Sequence, residues 1–394
     1  MTTLGQTRGR PPHKQFGILQ ADRLFHCAMF GMTGTGKSTL LKTMMRQDWQ
    51  HNTGFCLIEP HGDLSKAMAE KLGDDCLYWD VADPNNKIGY NPLTFVRTEY
   101  RPLVASGLID TLKKQWSDAW GARMEHLLRY VLLALLERPQ STLMDVIPMF
   151  LNKGFRQQVL AGVNDPMVKR FWEIEYKAMN FKNAADAVPP ISNKLGAFLA
   201  HPLVRQSMCY PKTPIRFREI MDEGKILIVN LAKGKLGADV ANLMGGLVFS
   251  NITHAAYSRE SIPLADRRPF FIYADEIHAY TTEAIADILS ELRKYAVGLV
   301  AASQFTGQLS SNVLDAIFGN VGTLIAFRLG ANDAALIAKQ FGADVPSPRD
   351  FVSLSNYEMF IKQMNCGRQC KVFSARTQDL ALRPCNDSKC IIEA

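Results

Sequence analysis

The chain has 394 residues, 47% of them apolar and 21% charged, with a formal net charge of +7. That length supports two or three structural units around a sizeable buried core, and the balance excludes a disordered or fibrous chain. The basic excess is compatible with nucleic acid without requiring it.

Membrane-spanning classes find no support in the sequence. The longest apolar candidate, Tyr130–Leu136, falls far short of the roughly 20 residues a bilayer needs, and Arg129, Glu137 and Arg138 flank it. The N-terminal stretch MTTLGQTRGRPPHK lacks the apolar core of a secretory signal. The eight cysteines therefore read as reduced thiols of a cytoplasmic protein. The last four, Cys366, Cys370, Cys385 and Cys390, admit two readings: a four-thiolate zinc site, or a hairpin and tail that carry cysteines.

In chain order, residues 1–15 read as a flexible basic tail, in which RGRPP resembles a minor-groove clasp. From Phe16 the pattern is α/β. LFHCAMF is a buried strand that runs into a glycine-rich turn, and KSTLLKTMMRQDW has helical spacing. FCLIEP is a second buried strand, GDLSKAMAEKLG a helix with Asp63 placed as its cap, and CLYWDVAD a third strand. Such alternation implies a largely parallel sheet.

Between about residues 95 and 214 amphipathic helical stretches dominate, punctuated by Pro139, Pro166, Pro189, Pro190 and Pro202, and predict an inserted all-helical domain. The α/β pattern then resumes to about residue 380. KILIVNL is a strand, ADVANLMGGLVFSNITHAAYSR a long apolar helix, and PFFIYADE a strand ending in two acids. VGLVAASQ and GTLIAFRLG are further strands, ANDAALIAKQFG is a helix, and YEMFIKQMNCGRQCKVFSART is a closing hairpin. Residues 381–394 are a tail. No internal repeat and no second phosphate loop is present in the sequence.

The chemistry centres on Gly31-Met32-Thr33-Gly34-Thr35-Gly36-Lys37-Ser38, which fits the phosphate-loop pattern between a strand and a helix. Glycines let successive backbone N–H groups turn toward a phosphate, and the helix N-terminus adds its positive dipole end. Lys37 would reach the β- and γ-phosphates and Ser38 would hold Mg²⁺; Thr33, Thr35 and Thr39 complete the ATP-binding set. Asp275 at a strand end would hold the metal through its water. Glu276 would polarise the attacking water as general base, which favours hydrolysis over transfer to a second substrate. Gln304 ends the next strand and is placed to sense the γ-phosphate.

A triphosphate transition state gains from an arginine, and the candidates are Arg293 and Arg328. With one motor unit per chain, a neighbouring subunit must complete the site, which predicts head-to-tail contacts closing into a ring. Lys233 and Lys235 lie in a glycine-bearing loop after a strand, which a solvated turn explains as well as DNA contacts facing the channel that the resemblance given next implies.

Taken together, GMTGTGKSTLL, IEPHGDLSKAMAEKL, KIGYNPL, WGARMEHLLRYVLLALLE, EGKILIVNLAKGKLG, YADEIHAY, LSELRKYAVGLVAASQFTGQL and GNVGTLIAFRLGANDA resemble the HerA/FtsK group of P-loop ATPases, and within it conjugative coupling proteins of the TraG/TraD type. The resemblance runs from about Phe16 to Thr377. It implies a RecA-like motor domain in two parts, 16–94 and 215–380, around the helical insertion at 95–214. It also implies a hexamer that moves single- or double-stranded DNA through a central channel with ATP and Mg²⁺, with a relaxase or a secretion-channel protein as partner. Lys37 and Ser38 match the family's nucleotide loop, Asp275 and Glu276 its acids, Gln304 its sensor, and Arg293 its inter-subunit arginine, in preference to Arg328. Two departures stand out. Coupling proteins usually carry a membrane anchor that this sequence lacks, so a partner would recruit it to the membrane, and Glu59 stands where relatives more often have Asp. A motor acting on protein substrates, or a nucleotide-dependent scaffold without turnover, are the alternatives.

Overall fold

The computed structural model describes residues 1–8, 12–94, 96–179, 188–281, 285–342 and 346–377. By contact density the chain divides into two units. The first comprises Met1–Leu77, Arg218–Val229 and the described residues from Ala256 onward. The second comprises the described residues of Tyr78–Phe217 and Asn230–Ala255.

The strands are β1 (Thr2–Thr7), β2 (Gln15–Ile18), β3 (Cys27–Phe30), β4 (Gly54–Glu59), β5 (Cys76–Asp80), β6 (Ile88–Gly89), β7 (Thr213–Pro214), β8 (Ile226–Asn230), β9 (Phe270–Ala274), β10 (Val297–Ser303), β11 (Thr323–Ala326), β12 (Glu358–Lys362), β13 (Met364–Asn365), β14 (Arg368–Gln369) and β15 (Phe373–Arg376). Among the described residues they build an eleven-stranded sheet in the order β2-β1-β15-β12-β11-β3-β10-β9-β4-β8-β5. The centre, β11-β3-β10-β9-β4, is parallel, and β12, β15, β1 and β2 add antiparallel on one side. This is the α/β fold class expected, with a mostly parallel core.

The central strands are continuous apolar runs because both faces of a parallel sheet are covered. Every residue of β3, β4, β9, β10 and β11 is buried. Removing each large apolar side chain from water contributes about 1.5–3 kcal/mol. Register aligns Phe30 with Ser303 and Ala326, Ala301 with Ala274, and Ala274 with Ile58. Five strands therefore end along one edge of the sheet. Loops leaving the carboxyl ends of parallel strands are where such sheets bind ligands.

The opposite edge is pinned by His26, held at φ +66°. Its Nδ1 accepts from the Leu299 amide at 3.0 Å and its Nε2 donates to the Leu289 carbonyl at 2.8 Å. That pair of bonds needs the neutral ring, and burial lowers its pKa to about 4, helped by nearby Arg293.

Residues 1–15 depart from the expected flexible tail. β1 lies between β2 and β15, with Leu4 1% exposed. The Thr3 amide donates to Gln47 Oε1 at 2.7 Å, and Gln47 Nε2 returns a bond to the Thr3 carbonyl at 2.8 Å. TTLGQT has no long apolar run; backbone pairing and the burial of a single leucine, Leu4, hold it. The basic residues after it belong to the connection between β1 and β2, closed by Thr7 N to Lys14 O at 2.8 Å. Most of RGRPP falls outside the described residues.

The second unit is helical, as the proline-punctuated stretch predicts. Its helices include Arg101–Gln115, Ala122–Leu136, Lys153–Ala161, Val188–Ala200 and Pro202–Met208. Side chains cap some starts in this unit: Thr142 and Asp145 form a capping box on the short turn Leu143–Asp145, and Asn152 accepts from the Phe155 amide at 3.0 Å at the start of Lys153–Ala161. The Val131–Leu136 run is a buried helix face, and no described helix is long and apolar enough to cross a membrane.

Its bounds differ from the expected 95–214. The unit begins at Tyr78 and takes most of the helix Ala238–Tyr257, which the sequence pattern assigns to the α/β part. Leu243, Met244, Leu247, Val248 and Ile252 are all buried, so the helix is apolar around much of its girth, and such a pattern does not say which layer it joins. Within the unit, Gly107 lets the Arg101–Gln115 helix approach it; a methyl group there would meet His254 and Ser250 at 2.4 Å.

The candidate nucleotide site

The phosphate loop follows β3 and enters the helix Lys37–Gln50. Gly34 and Gly36 take φ of +75° and +124°, left-handed values that a side chain resists. Gly31 answers a packing demand instead: a Cβ there would meet Phe327 Cβ at 2.6 Å and Thr35 Oγ1 at 2.9 Å. The loop is moored to both neighbouring strands, Gly31 N to Ser303 O at 3.3 Å and Met32 N to Arg328 O at 3.0 Å.

The loop opens on a cleft of about 480 Å³ lined by Thr33, Gly34, Gly36, Lys37, Ser38 and Thr39, and on its other walls by Glu59, Asp275, Glu276, Gln304 and Tyr357. Thr35 turns inward, fully buried, and its hydroxyl donates to the Met32 carbonyl at 2.7 Å. Of the expected loop residues, Gly31 and Thr35 thus shape the loop, while the others face the cleft.

Lys37 is folded back onto the loop. Its ammonium donates to the carbonyls of Gly31 and Met32, the latter at 3.1 Å. Burial lowers its pKa, while Glu276 and Asp275 raise it and hold the charge. Asp275 is 7% exposed and its pKa is pushed up to about 7, first by burial and then by the carboxylates of Glu276 and Glu59. Lys37 opposes that shift without cancelling it.

Glu276 is also buried, on a backbone held at φ +51°. Gln304 Nε2 donates to its Oε1 at 2.7 Å, and Thr33 Oγ1 donates to Gln304 Oε1 at 3.1 Å. A chain of contacts thus links the phosphate loop, the strand-end amide and the acid. The second carboxylate oxygen of Glu276 lies 3.3 Å from His278 Nδ1.

Glu59 takes the capping duty that the sequence assigns to Asp63. Its carboxylate accepts from the amides of His61 and Gly62 at 2.7 Å each, and from Ser65 N at 3.3 Å and Ser65 Oγ at 2.9 Å. Asp63 is instead the first residue of the helix Asp63–Leu72 and is exposed. Glu59 carries the same sequence signal as Asp275, an acid closing an apolar strand. Tyr357 carries no signal at all.

The two arginines lie outside the cleft lining. Arg293 precedes β10, at the end of the strand opposite Gln304, exposed and stacked 3.5 Å from the Phe25 ring centroid. The seven residues of β10 put about 20 Å of strand between it and Gln304. Arg328 follows β11 on the phosphate-loop edge, half-buried, with its guanidinium 3.4 Å from the Leu354 carbonyl. Lys233 and Lys235 belong to the second unit, in a short helical turn, Lys233–Leu236, rather than an open loop; Lys235 is exposed.

Among the described residues no group of three His, Cys, Asp or Glu side chains is placed to hold a metal alone. Cys366 and Cys370 are free thiols, and the other two cysteines of the zinc reading, Cys385 and Cys390, lie outside the described residues.

A phosphate loop between a central parallel strand and its helix, with acids ending the strands beside it, defines a P-loop nucleotide-binding domain of the RecA-like kind. Residues 18–243 match the family described as the central domain of the helicase HerA, and the chain belongs to that family. Its fold is that of the bacterial conjugative coupling protein TrwBdeltaN70, at TM-score 0.67 and 15% identity, with 95% of this chain and 96% of that one covered. The plasmid coupling protein TrwB in complex with ADP and Mg²⁺ matches at TM-score 0.67 and 18% identity, over 94% and 90%. VirB4 of Thermoanaerobacter pseudethanolicus matches at TM-score 0.64 and 13% identity, over 95% and 96%. No curated protein sequence matches the chain.

Proposed function

We propose that the protein is an ATP-hydrolysing DNA translocase that works as a closed ring of identical subunits, six in the reading that the coupling-protein likeness favours. The observation that carries the hydrolytic part is the Gln304–Glu276 bond of 2.7 Å on the wall of a cleft floored by Lys37 and Ser38. It holds a carboxylate ready to take a proton from water, next to where the outermost phosphate would lie.

Lys37 would leave the loop carbonyls for the β- and γ-phosphates when a nucleotide enters. Ser38 and Asp275 are the residues that would hold Mg²⁺; burial first and then the carboxylates of Glu276 and Glu59 raise the Asp275 pKa, and a divalent cation there would favour its ionised form. One carboxylate, one hydroxyl and the phosphates form the usual donor set of Mg²⁺ in nucleotide sites. Bound there, the ion would neutralise charge on the β- and γ-phosphate oxygens. Glu276 would orient and deprotonate the attacking water, and Gln304 would exchange its bond to Glu276 for one to the γ-phosphate.

Arg293 cannot reach the cleft of its own chain, because a whole strand separates them. Supplied by the next subunit it would stabilise the transition state, and that need favours a ring. DNA as cargo rests on membership of the HerA family and on the coupling-protein fold. Lys233 and Lys235 are the proposed contacts, and recruitment to a membrane would fall to a partner such as a secretion-channel protein or a relaxase.

ATP turnover by the assembled protein tests the reading, measured with and without single- and double-stranded DNA at several salt concentrations. Stimulation that fades as salt rises is expected, because phosphate contacts release counterions. Turnover indifferent to both DNAs transfers the motor to a protein substrate. ATP binding without turnover makes it a scaffold.

A further inference from the structure

Tyr357 lies on the wall of the nucleotide cleft, and nothing in the hydrolytic scheme uses it. Its backbone sits at φ +69°, a conformation that a bulky side chain resists. Two main-chain bonds hold it there: its amide donates to the Thr35 carbonyl at 2.7 Å, and its carbonyl accepts from the Thr377 amide at 2.9 Å. The residue is therefore tied directly to the phosphate loop. Its side chain is not packed away, for the residue remains 42% exposed.

The ring leans on Gly36, where a Cβ would meet Tyr357 Cα at 3.2 Å and Cδ1 at 3.3 Å. The aromatic ring thus stands at the entry of the phosphate-loop helix and borders the cleft. A strained backbone that presents a half-exposed aromatic beside a ligand cleft is a positioning device, since an ordinary surface tyrosine needs no strain.

The order of the sheet says which part of a nucleotide would reach it. Gln304 and Asp275 follow β10 and β9, and Glu59 closes β4, all on one side of β3. Tyr357 immediately precedes β12, which lies on the other side of β3 beyond β11. A triphosphate seated on the loop with its γ end toward Glu276 and Gln304 sends its nucleoside the opposite way, toward Tyr357.

We infer that Tyr357 is the platform on which the nucleotide base stacks. The ring supplies a face that any base can cover, and purines, with the larger π surface, gain most. The inference rests on the reading of the cleft as a nucleotide site.

Binding of Mg·ATP and of Mg·tripolyphosphate, which has no base, to the whole chain tests it by calorimetry. The variants are Tyr357→Gly, which takes the left-handed backbone freely and keeps the amide bond to Thr35, and Tyr357→Phe, which keeps the ring. Tyr357→Gly is expected to weaken ATP binding about 10- to 100-fold, to leave tripolyphosphate binding within twofold, and to melt within a few degrees of the wild type. Tyr357→Phe is expected to bind both as the wild type does. Equal losses for ATP and tripolyphosphate in Tyr357→Gly overturn the inference in favour of a loop-bracing role, and unchanged ATP affinity overturns it outright. A wild type that binds tripolyphosphate as tightly as ATP also overturns it while leaving the phosphate site standing. A wild type that binds neither removes the nucleotide site itself.

Discussion

Gln304 Nε2 donates to Glu276 Oε1 across 2.7 Å, so the sensor and the base of the proposed reaction hold each other. Glu276 sits on a left-handed backbone and is 6% exposed, so the bond fixes one of its oxygens in place. Replacing Glu276 by Gln keeps the shape and removes the proton acceptor. Turnover is expected to fall about 10²- to 10⁴-fold with ATP affinity retained. Gln304→Ala loses a hydrogen bond to a charged group and is expected to cost about 10- to 100-fold in turnover. Because the two act as a unit, the double variant should be no slower than Glu276→Gln alone, measured by phosphate release. Additive losses would show that Gln304 acts elsewhere.

Asp275 makes the free protein sensitive to pH. Its pKa is raised from the ordinary carboxylate value of 3.8 to about 7 by burial and by its acidic neighbours. Between those values the unfolded chain has lost the proton and the folded chain keeps it, so this group makes stability fall as pH rises from about 4 to about 7. Above 7 its contribution is constant. In metal- and nucleotide-free buffer, the melting temperature of Asp275→Asn relative to wild type should rise across that window and level off beyond it. A difference independent of pH would remove the buried proton from the account.

Much of this site is legible in the sequence because parallel strands advertise themselves as apolar runs, and the residue that ends each run lands on one edge. Asp275, Gln304 and the loop from Thr33 to Thr39 are found that way. Glu59 carries the same mark, and the choice of Asp63 as cap shows why it escapes: a carboxylate several residues upstream can reach a helix's first amides only through a turn that sequence does not display. Tyr357 is invisible because a left-handed φ on a tyrosine has no compositional signature. The strand Thr2–Thr7 is hidden for a related reason, since two bonds to Gln47 and pairing with β15 and β2 hold a segment with little apolar content. The helix Ala238–Tyr257 was recognisable as a helix, but its buried residues do not name the unit they pack in.

Glu59 accepts three backbone amides and a hydroxyl while 2% exposed. Glu59→Ala strands those buried donors and is expected to destabilise the protein by about 2–3 kcal/mol, read from urea unfolding. Glu59→Asp, one methylene shorter, should not reach all of them and should fall in between. Equal stability of the aspartate variant would mean that the turn relaxes to meet it.

Arg23 is fully buried against Asp48 and Tyr273, its Nη2 lying 2.8 Å from Asp48 Oδ2 and 2.7 Å from the Tyr273 hydroxyl, with the guanidinium 3.6 Å from the Phe271 ring centroid. Asp48 is on the phosphate-loop helix and Tyr273 on the strand that carries Asp275 into the site. The network therefore joins the elements that bear the two halves of the cleft. Arg23→Ala leaves the Asp48 charge buried without its partner and is expected to cost about 3–5 kcal/mol. Arg23→Met with Asp48→Leu should recover most of that, because both charges go together. Unfolding by urea distinguishes the outcomes, and a double variant as unstable as the single one would mean that the tyrosine depends on the ion pair.

Arg293 gives the sharpest test of assembly. It is exposed, and the length of β10 separates it from the cleft of its own chain. Arg293→Ala should bind ATP normally, fold with at most about 1 kcal/mol lost from its stacking on Phe25, and turn over about 10³-fold or more slowly. Lys37→Ala should be inactive for the opposite reason, lacking the phosphate contact. Mixing the two inactive proteins creates interfaces where an intact Lys37 site faces an intact Arg293 from its neighbour. Phosphate release should reappear in the mixture and peak near equal proportions. If it stays silent while light scattering shows that the two variants co-assemble, Arg293 does not act across the interface, and Arg328, which borders the phosphate loop of its own chain, becomes the arginine to remove next.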